Sequence, residues 1–196
     1  MLGDARELAK ALPDESIDLV FTDPPYMREF LPLYGWLAQE SARILKPGCL
    51  CVALCGHYAI PQIVEMMGKH LDFYWIGGML HTLGGTARMF SKRILCAWKP
   101  MLWYSRGRPR PHRWLFDAWM SPRKDKAWHK WGQSAPFFQY YIDQLSEPGE
   151  LVFDPFLGGG TSAVVCRILG RRFLGFEIDP QAYSIAQKRL REAQPP

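Results

Sequence analysis

The stretch Leu151-Val152-Phe153-Asp154-Pro155-Phe156-Leu157-Gly158-Gly159-Gly160-Thr161 decides the fold class. Its first residues are an apolar, strand-like run that Asp154-Pro155 ends, and Thr161 to Leu169 has the apolar period of a helix. Glycines between a strand and a helix let the backbone approach a ligand closely, and amides at a helix start can bind an anionic group. The run is not a P-loop, because no lysine follows the last glycine, and it departs from the Gly-x-Gly-x-x-Gly spacing, so an NTP and NAD are disfavoured. A glycine-rich turn without a ligand is the plain alternative. Downstream, Arg172 to Phe176 reads as a strand ended by Glu177-Ile178-Asp179, and Pro180 to Glu192 as a helix. Glu177 is placed to accept hydrogen bonds from ribose hydroxyls, whereas Asp179 suits a cap on the helix that Pro180 begins.

Upstream the alternation continues. Ala5 to Leu12 has a helical pattern, Ser16 to Thr22 reads as a strand, Leu33 to Leu45 as a helix, Cys49 to Leu54 as a buried strand and Ala59 to Lys69 as another helix. Leu71 to Leu80 and Ile94 to Tyr104 are further strands, candidates for antiparallel pairing, and Ala135 to Leu145 is a helix. Between Arg106 and Lys130 the Pro, Arg and Trp content gives no period, so an irregular excursion is expected there. Strand and helix alternating over short loops predict an α/β, doubly wound, mostly parallel sheet in a single domain spanning 1–196.

The second motif is Asp23-Pro24-Pro25-Tyr26, at the end of a strand. Asp23 offers an acceptor, the prolines fix the backbone and leave carbonyls without competing local amides, and Tyr26 supplies a π face. Together they suit a planar amine. The plain alternative is a rigid turn in which Asp23 caps the next helix.

The chain has 196 residues, 48% hydrophobic and 22% charged, with a formal net charge of +5. That composition excludes disorder, collagen and coiled coil. No apolar run approaches the ~20 residues of a membrane span, and the polar residues after Met1 do not make a signal core, so a cytoplasmic location is expected. Five cysteines in apolar runs argue against a disulfide framework. Cys49, Cys51, Cys55 and His57 lack a recurring metal-ligand spacing, and no metal is expected.

Arg88 to Lys130 holds twelve Lys/Arg against two Asp, leaving twelve basic against seventeen acidic residues elsewhere. Through Trp131 the same segment carries six of the eight tryptophans. Cations interleaved with flat aromatics suit phosphates and unstacked bases. Residues 85–130 are therefore the candidate recognition segment, with phosphate contacts expected from Arg88, Lys92, Arg93, Arg106, Arg108, Arg110, Arg113, Arg123, Lys124 and Lys126. His112 and His129 are further, weaker candidates. A solvated basic loop is the alternative.

Asp-Pro-Pro-Tyr first, a basic segment in the middle and Asp-Pro-Phe-x-Gly-x-Gly-Thr near the end resemble the permuted (β-class) DNA amino-methyltransferases over nearly the whole chain. These use S-adenosylmethionine to methylate adenine N6 or cytosine N4. The resemblance implies a Rossmann-like class I methyltransferase fold in circularly permuted order, with the cofactor half moved to the end. It implies catalytic roles for Asp23, Pro24, Pro25 and Tyr26. It implies a cofactor site from Asp4, Asp154, Phe156, Gly158, Gly160, Thr161, Glu177 and Ile178, with Gln133 and Ser134 toward the methionine end. Asp at the head of the first motif favours adenine. Cytosine N4, then an RNA or protein amide, then a non-catalytic DNA-binding partner are the alternatives. DNA is the expected partner, and so short a reading segment suits a brief site or lax specificity, with a homodimer as one way to extend it.

Overall fold

The structure is a computed structural model that describes residues 1–81, 87–110, 113–121 and 135–193, with Ala87 and Ser121 described by backbone alone. Its strands are β1 (Ile17–Thr22), β2 (Leu45–Leu54), β3 (Asp72–His81), β4 (Ala87–Met89), β5 (Ile94–Cys96), β6 (Trp98–Ser105), β7 (Ala118–Ser121), β8 (Leu151–Asp154) and β9 (Arg172–Gly175). Its helices are α1 (Ala5–Leu8), α2 (Pro32–Ile44), α3 (Ile60–Met67), α4 (Ala135–Leu145), α5 (Thr161–Ile168) and α6 (Pro180–Glu192). Seven strands form one sheet in the order β7-β3-β6-β2-β1-β8-β9, and β4 and β5 form a separate hairpin. β6 runs antiparallel to both neighbours, and the other pairings within the seven-stranded sheet are parallel.

Alternation along the central strands explains the layers. Val20, Cys51, Ala53, Leu102 and Tyr104 face one cluster with α2 and α3, while Leu19, Phe21, Val52, Leu54, Met101 and Trp103 face another with α4 and α5. Both faces are covered, as a mostly parallel sheet requires. Asp179 caps α6, its carboxylate accepting from the Gln181 amide, with Pro180 in the first turn, as the residue types predict.

Four local expectations change. α1 is one turn, continued by a 3₁₀ turn to Ala11. β2 begins at Leu45, because Leu45 already pairs with Ile17 and the irregularity between Ile17 and Leu19 absorbs the Lys46-Pro47-Gly48 corner. The run Ile94–Tyr104 divides into β5 and β6, and β6 lies inside the sheet, so part of the basic segment is core. The excursion after Arg106 contains a strand, β7, held by parallel pairing of Gly78 to His81 with Ala118 to Ser121. All five cysteines are buried and free of disulfides. Among the described residues no helix is long and apolar enough to cross a membrane, and no three His, Cys, Asp or Glu side chains cluster as a metal site.

Candidate active site

β1, β2, β8 and β9 all end on one edge of the sheet, where an open parallel sheet places ligands. β1 and β8 are neighbours, so Asp23, just past Thr22, and Asp154 meet at adjacent strand ends. Because β6 is antiparallel, its first residues, Trp98 and Lys99, come to the same edge.

Asp23 lies in a tight polar cluster. Its side chain is 14% exposed, and both carboxylate oxygens accept from Lys99 Nζ, at 2.9 Å and 3.1 Å. The Tyr26 hydroxyl also donates to Asp23, and the Tyr58 hydroxyl donates to the Tyr26 carbonyl. The Lys99 ammonium sits 4.7 Å from the centroid of the Tyr26 ring. Burial pushes the Asp23 carboxyl above its ordinary range, and the Lys99 charge and hydrogen bonds oppose that shift.

Asp154 carries the glycine loop. Only 2% exposed, it accepts from the hydroxyls of Thr22 (2.6 Å) and Ser162 (2.5 Å) and from the Phe156 amide (3.1 Å). Burial pushes its carboxyl up to about 6 against those hydrogen bonds. Its carboxylate thus ties the strand leading to Asp23 to the start of α5. Gly160 has φ +80°, and a Cβ there would fall 2.7 Å from Cβ and 2.9 Å from Cα of Ala186 in α6, so only glycine fits. At Gly158, also left-handed at φ +52°, a Cβ would meet nothing within 4 Å, so the loop is open on that side.

Glu177 clamps the loop from the next strand end, accepting from the Gly158 amide at 2.6 Å and the Asp179 amide at 2.8 Å. Residues 1–3 run alongside: Leu2 bridges Glu177 in parallel, and the Gly3 amide donates to the Glu177 carbonyl at 2.8 Å. Asp4 follows, capping α1 through the Arg6 amide and pairing with the Arg6 guanidinium at 2.6 Å, which holds its carboxyl below the usual range. Phe156 meets Trp36 of α2 edge-on at 6.0 Å, and Ile178 is 67% exposed.

The amides of Phe156, Leu157, Gly158 and Gly160 are all spent within the protein. Those four amides are therefore not the donors for an anionic group, and at Gly158 the loop offers close backbone approach. Two acids, an exposed aliphatic side chain and an open glycine backbone fit the adenosine and cationic sulfonium of S-adenosylmethionine, which has no phosphate.

Sequence reasoning missed several contributors. Thr22 and Ser162 anchor Asp154. Arg189, 7% exposed on α6, donates to the Gly159 carbonyl at 2.6 Å and to the Thr161 hydroxyl at 3.2 Å. Lys99 had a readable signal, a lysine standing between Trp98 and Pro100 in an apolar strand.

The basic residues divide into two groups. Arg88, Lys92 and Arg93 lie on the β4–β5 hairpin, between the end of β3 and the start of β6. Those two strand ends belong to the Asp23 edge, and the 81% exposed Phe90 stands among these cations. Arg106, Arg108, Arg110 and Arg113 lie at the opposite edge, since Ser105 pairs with Leu50 whereas Met101 pairs with Leu54. Four residues of strand put that separation at roughly 13 Å. Arg106 pairs with Glu15 at 2.9 Å, Arg113 with Glu147 at 2.9 Å and Arg110 with Glu150 at 3.8 Å. Their expected phosphate contacts do not fit a surface continuous with Asp23. Arg123, Lys124, Lys126, Gln133, Ser134, His112 and His129 lie outside the described residues.

Sheet order, antiparallel β6 and the strand-end site define a Rossmann-like class I methyltransferase. Residues 17–188 match the DNA methylase family of N6/N4 methyltransferases, and the chain belongs to that family. It is 26% identical to the Type II methyltransferase M.HinfI of Haemophilus influenzae over 98% of this chain and 68% of that protein. It is 28% identical to the Type II methyltransferase M.HpaI of Haemophilus parainfluenzae over 96% of this chain and 72% of that one. Among solved structures, the M1.HpyAVI complex with S-adenosylmethionine superposes with a TM-score of 0.78 at 24% identity, covering 96% of this chain and 97% of that one. The cytosine-N4-specific PvuII DNA methyltransferase gives 0.83 at 19%, covering 96% and 84%.

Proposed function

We propose that this protein is an S-adenosylmethionine-dependent DNA methyltransferase that methylates the exocyclic N6 of adenine. The observation that carries this reading is the buried Asp23 carboxylate one strand away from a glycine loop clamped by Glu177. S-adenosylmethionine supplies an electrophilic methyl on a sulfonium.

The chain's own residues do the rest. An exocyclic amine is a weak nucleophile because its lone pair is delocalised into the ring. Hydrogen bonds from the amine to Asp23 and to the Pro24 carbonyl localise that lone pair and stabilise the positive charge that develops on nitrogen. Tyr26 offers its ring to the base, and proximity does the remainder. A paired base hides its amine in the duplex, so the target must be flipped out or supplied unpaired. Glu177 would hold the ribose of the cofactor, Ile178 and Phe156 would flank its adenine, and Asp4, next to the Leu2–Gly3 stretch that bridges Glu177, would add an acid on that side. Asp154 acts through the loop, since its oxygens are engaged by Thr22, Ser162 and Phe156. Glu177→Ala is expected to weaken S-adenosylmethionine binding roughly 10- to 100-fold by calorimetry while DNA affinity is unchanged.

Arg88, Lys92 and Arg93 supply phosphate contacts on the site's own edge. Replacing all three by alanine is expected to weaken DNA binding and to reduce the slope of log affinity against log salt by about 2 to 3. Arg108→Ala, at the far edge, should leave that slope unchanged. The acceptor itself is tested by offering DNA, RNA and protein in turn with methyl-labelled S-adenosylmethionine. Label in DNA supports the proposal, and label confined to RNA or protein removes it.

A further inference from the structure

Lys99 shares the sheet face of Met101 and Trp103, the residues two and four places along β6. Its side chain is 14% exposed, and it spends its charge on Asp23 and the Tyr26 ring rather than on solvent. The backbone around it is pinned. A Cβ on Gly78 would fall 2.6 Å from the Trp98 ring, so the glycine is what lets that ring lie against β3. The same ring meets His57 edge-on at 4.9 Å, and the Cys55 amide donates to the Pro100 carbonyl at 3.0 Å. Among the described residues, Tyr26, Tyr34 of α2, Cys55 after β2 and Asp154 of β8 also lie about the Asp23 carboxylate, with Tyr58 behind Tyr26, and each is neutral or negative. A buried carboxylate among such groups takes up a proton unless a cation opposes it.

We propose that Lys99 is a positioning residue for methyl transfer: its ammonium holds Asp23 as an oriented carboxylate toward the substrate amine, and its seat over one face of Tyr26 leaves the other face to the base. The role rests on the methyltransferase reading above. A carboxylate has about four acceptor sites; Lys99 takes two and the Tyr26 hydroxyl one, and the amine calls for a single further hydrogen bond. As a pair the two charges cancel, so a cationic methyl donor meets no net repulsion. Were Asp23 protonated, it would offer an O–H where the amine needs an acceptor.

The test compares Lys99→Met and Lys99→Arg with the wild-type protein. The Asp23 carboxyl is followed by carbon-13 NMR of aspartate-labelled protein, assigned with Asp23→Asn, and methyl transfer is followed against pH. Lys99→Met should raise the Asp23 titration by more than about one pH unit, and the acid limb of the rate profile should move with it. At neutral pH kcat should fall about tenfold or more, with KM for DNA and for S-adenosylmethionine within about threefold of wild type. Lys99→Arg should restore the titration. Lys99→Gln, neutral but still a donor, serves if methionine does not fold, with the same expected shift. An unmoved Asp23 titration, or a rate loss equal at every pH, overturns the proposal. A wild-type protein that transfers no methyl while the titration still shifts would instead sink the methyltransferase reading and leave the Lys99–Asp23 relation standing.

Discussion

Asp23→Ala is expected to lower single-turnover methyl transfer by roughly 10²- to 10³-fold or more, with S-adenosylmethionine affinity unchanged. The carboxylate stands where positive charge develops on the amine, and its surroundings exclude most water, so a lost hydrogen bond costs more there than at the surface. Glu177 and the glycine loop contact other groups, which is why cofactor binding should survive. Asp23→Asn keeps one acceptor oxygen and should lose less than alanine. Only the ionised form accepts fully, and burial holds the folded carboxyl above its ordinary range. Activity should therefore fall as pH falls through a value above that of a free aspartate. Rapid-quench measurement at saturating cofactor and DNA checks the size of the loss.

Asp154→Ala should destabilise the fold by about 3 kcal/mol, because it strands the hydroxyls of Thr22 and Ser162 and the Phe156 amide in a buried place. Denaturant unfolding reads this directly, and methyl transfer should drop as well, since the same contacts fix the chain just before Asp23. The pH dependence has a definite sign. The folded carboxyl, at about 6, lies above that of an unfolded aspartate, so the folded state holds more protons between the two values. The proton-linked part of Asp154's contribution is complete below the unfolded value and is lost as pH rises through about 6, while the bonds it accepts remain. Asp154→Asn, which cannot titrate, should show a flatter stability curve in that window.

Both motifs and the alternation of elements were legible in sequence, because prolines end β1 and β8 at their aspartates and glycines mark a close approach. β7 was not legible. Its four residues carry no period, and long-range contacts hold them: pairing with β3 and the stack of Trp119 on Tyr140 of α4. The split of the basic residues was equally hidden, since it depends on the direction of β6: an antiparallel strand carries Lys99 to the Asp23 edge and Arg106 to the far one. Composition along the chain counts those charges together, whereas the sheet separates them. Likewise Asp154 reads from sequence as a ligand contact, and only burial reveals that its oxygens are committed to Thr22, Ser162 and the loop.

The most direct measurement is the identity of the methylated nucleoside. DNA incubated with the protein and methyl-labelled S-adenosylmethionine is digested and its nucleosides resolved by mass spectrometry. The expected product is N6-methyldeoxyadenosine, absent with Asp23→Ala. N4-methyldeoxycytidine would keep the amine chemistry and overturn adenine as the target. A methyl group on a ring carbon, or unmodified DNA from a protein that binds S-adenosylmethionine, would contradict the role given to Asp23.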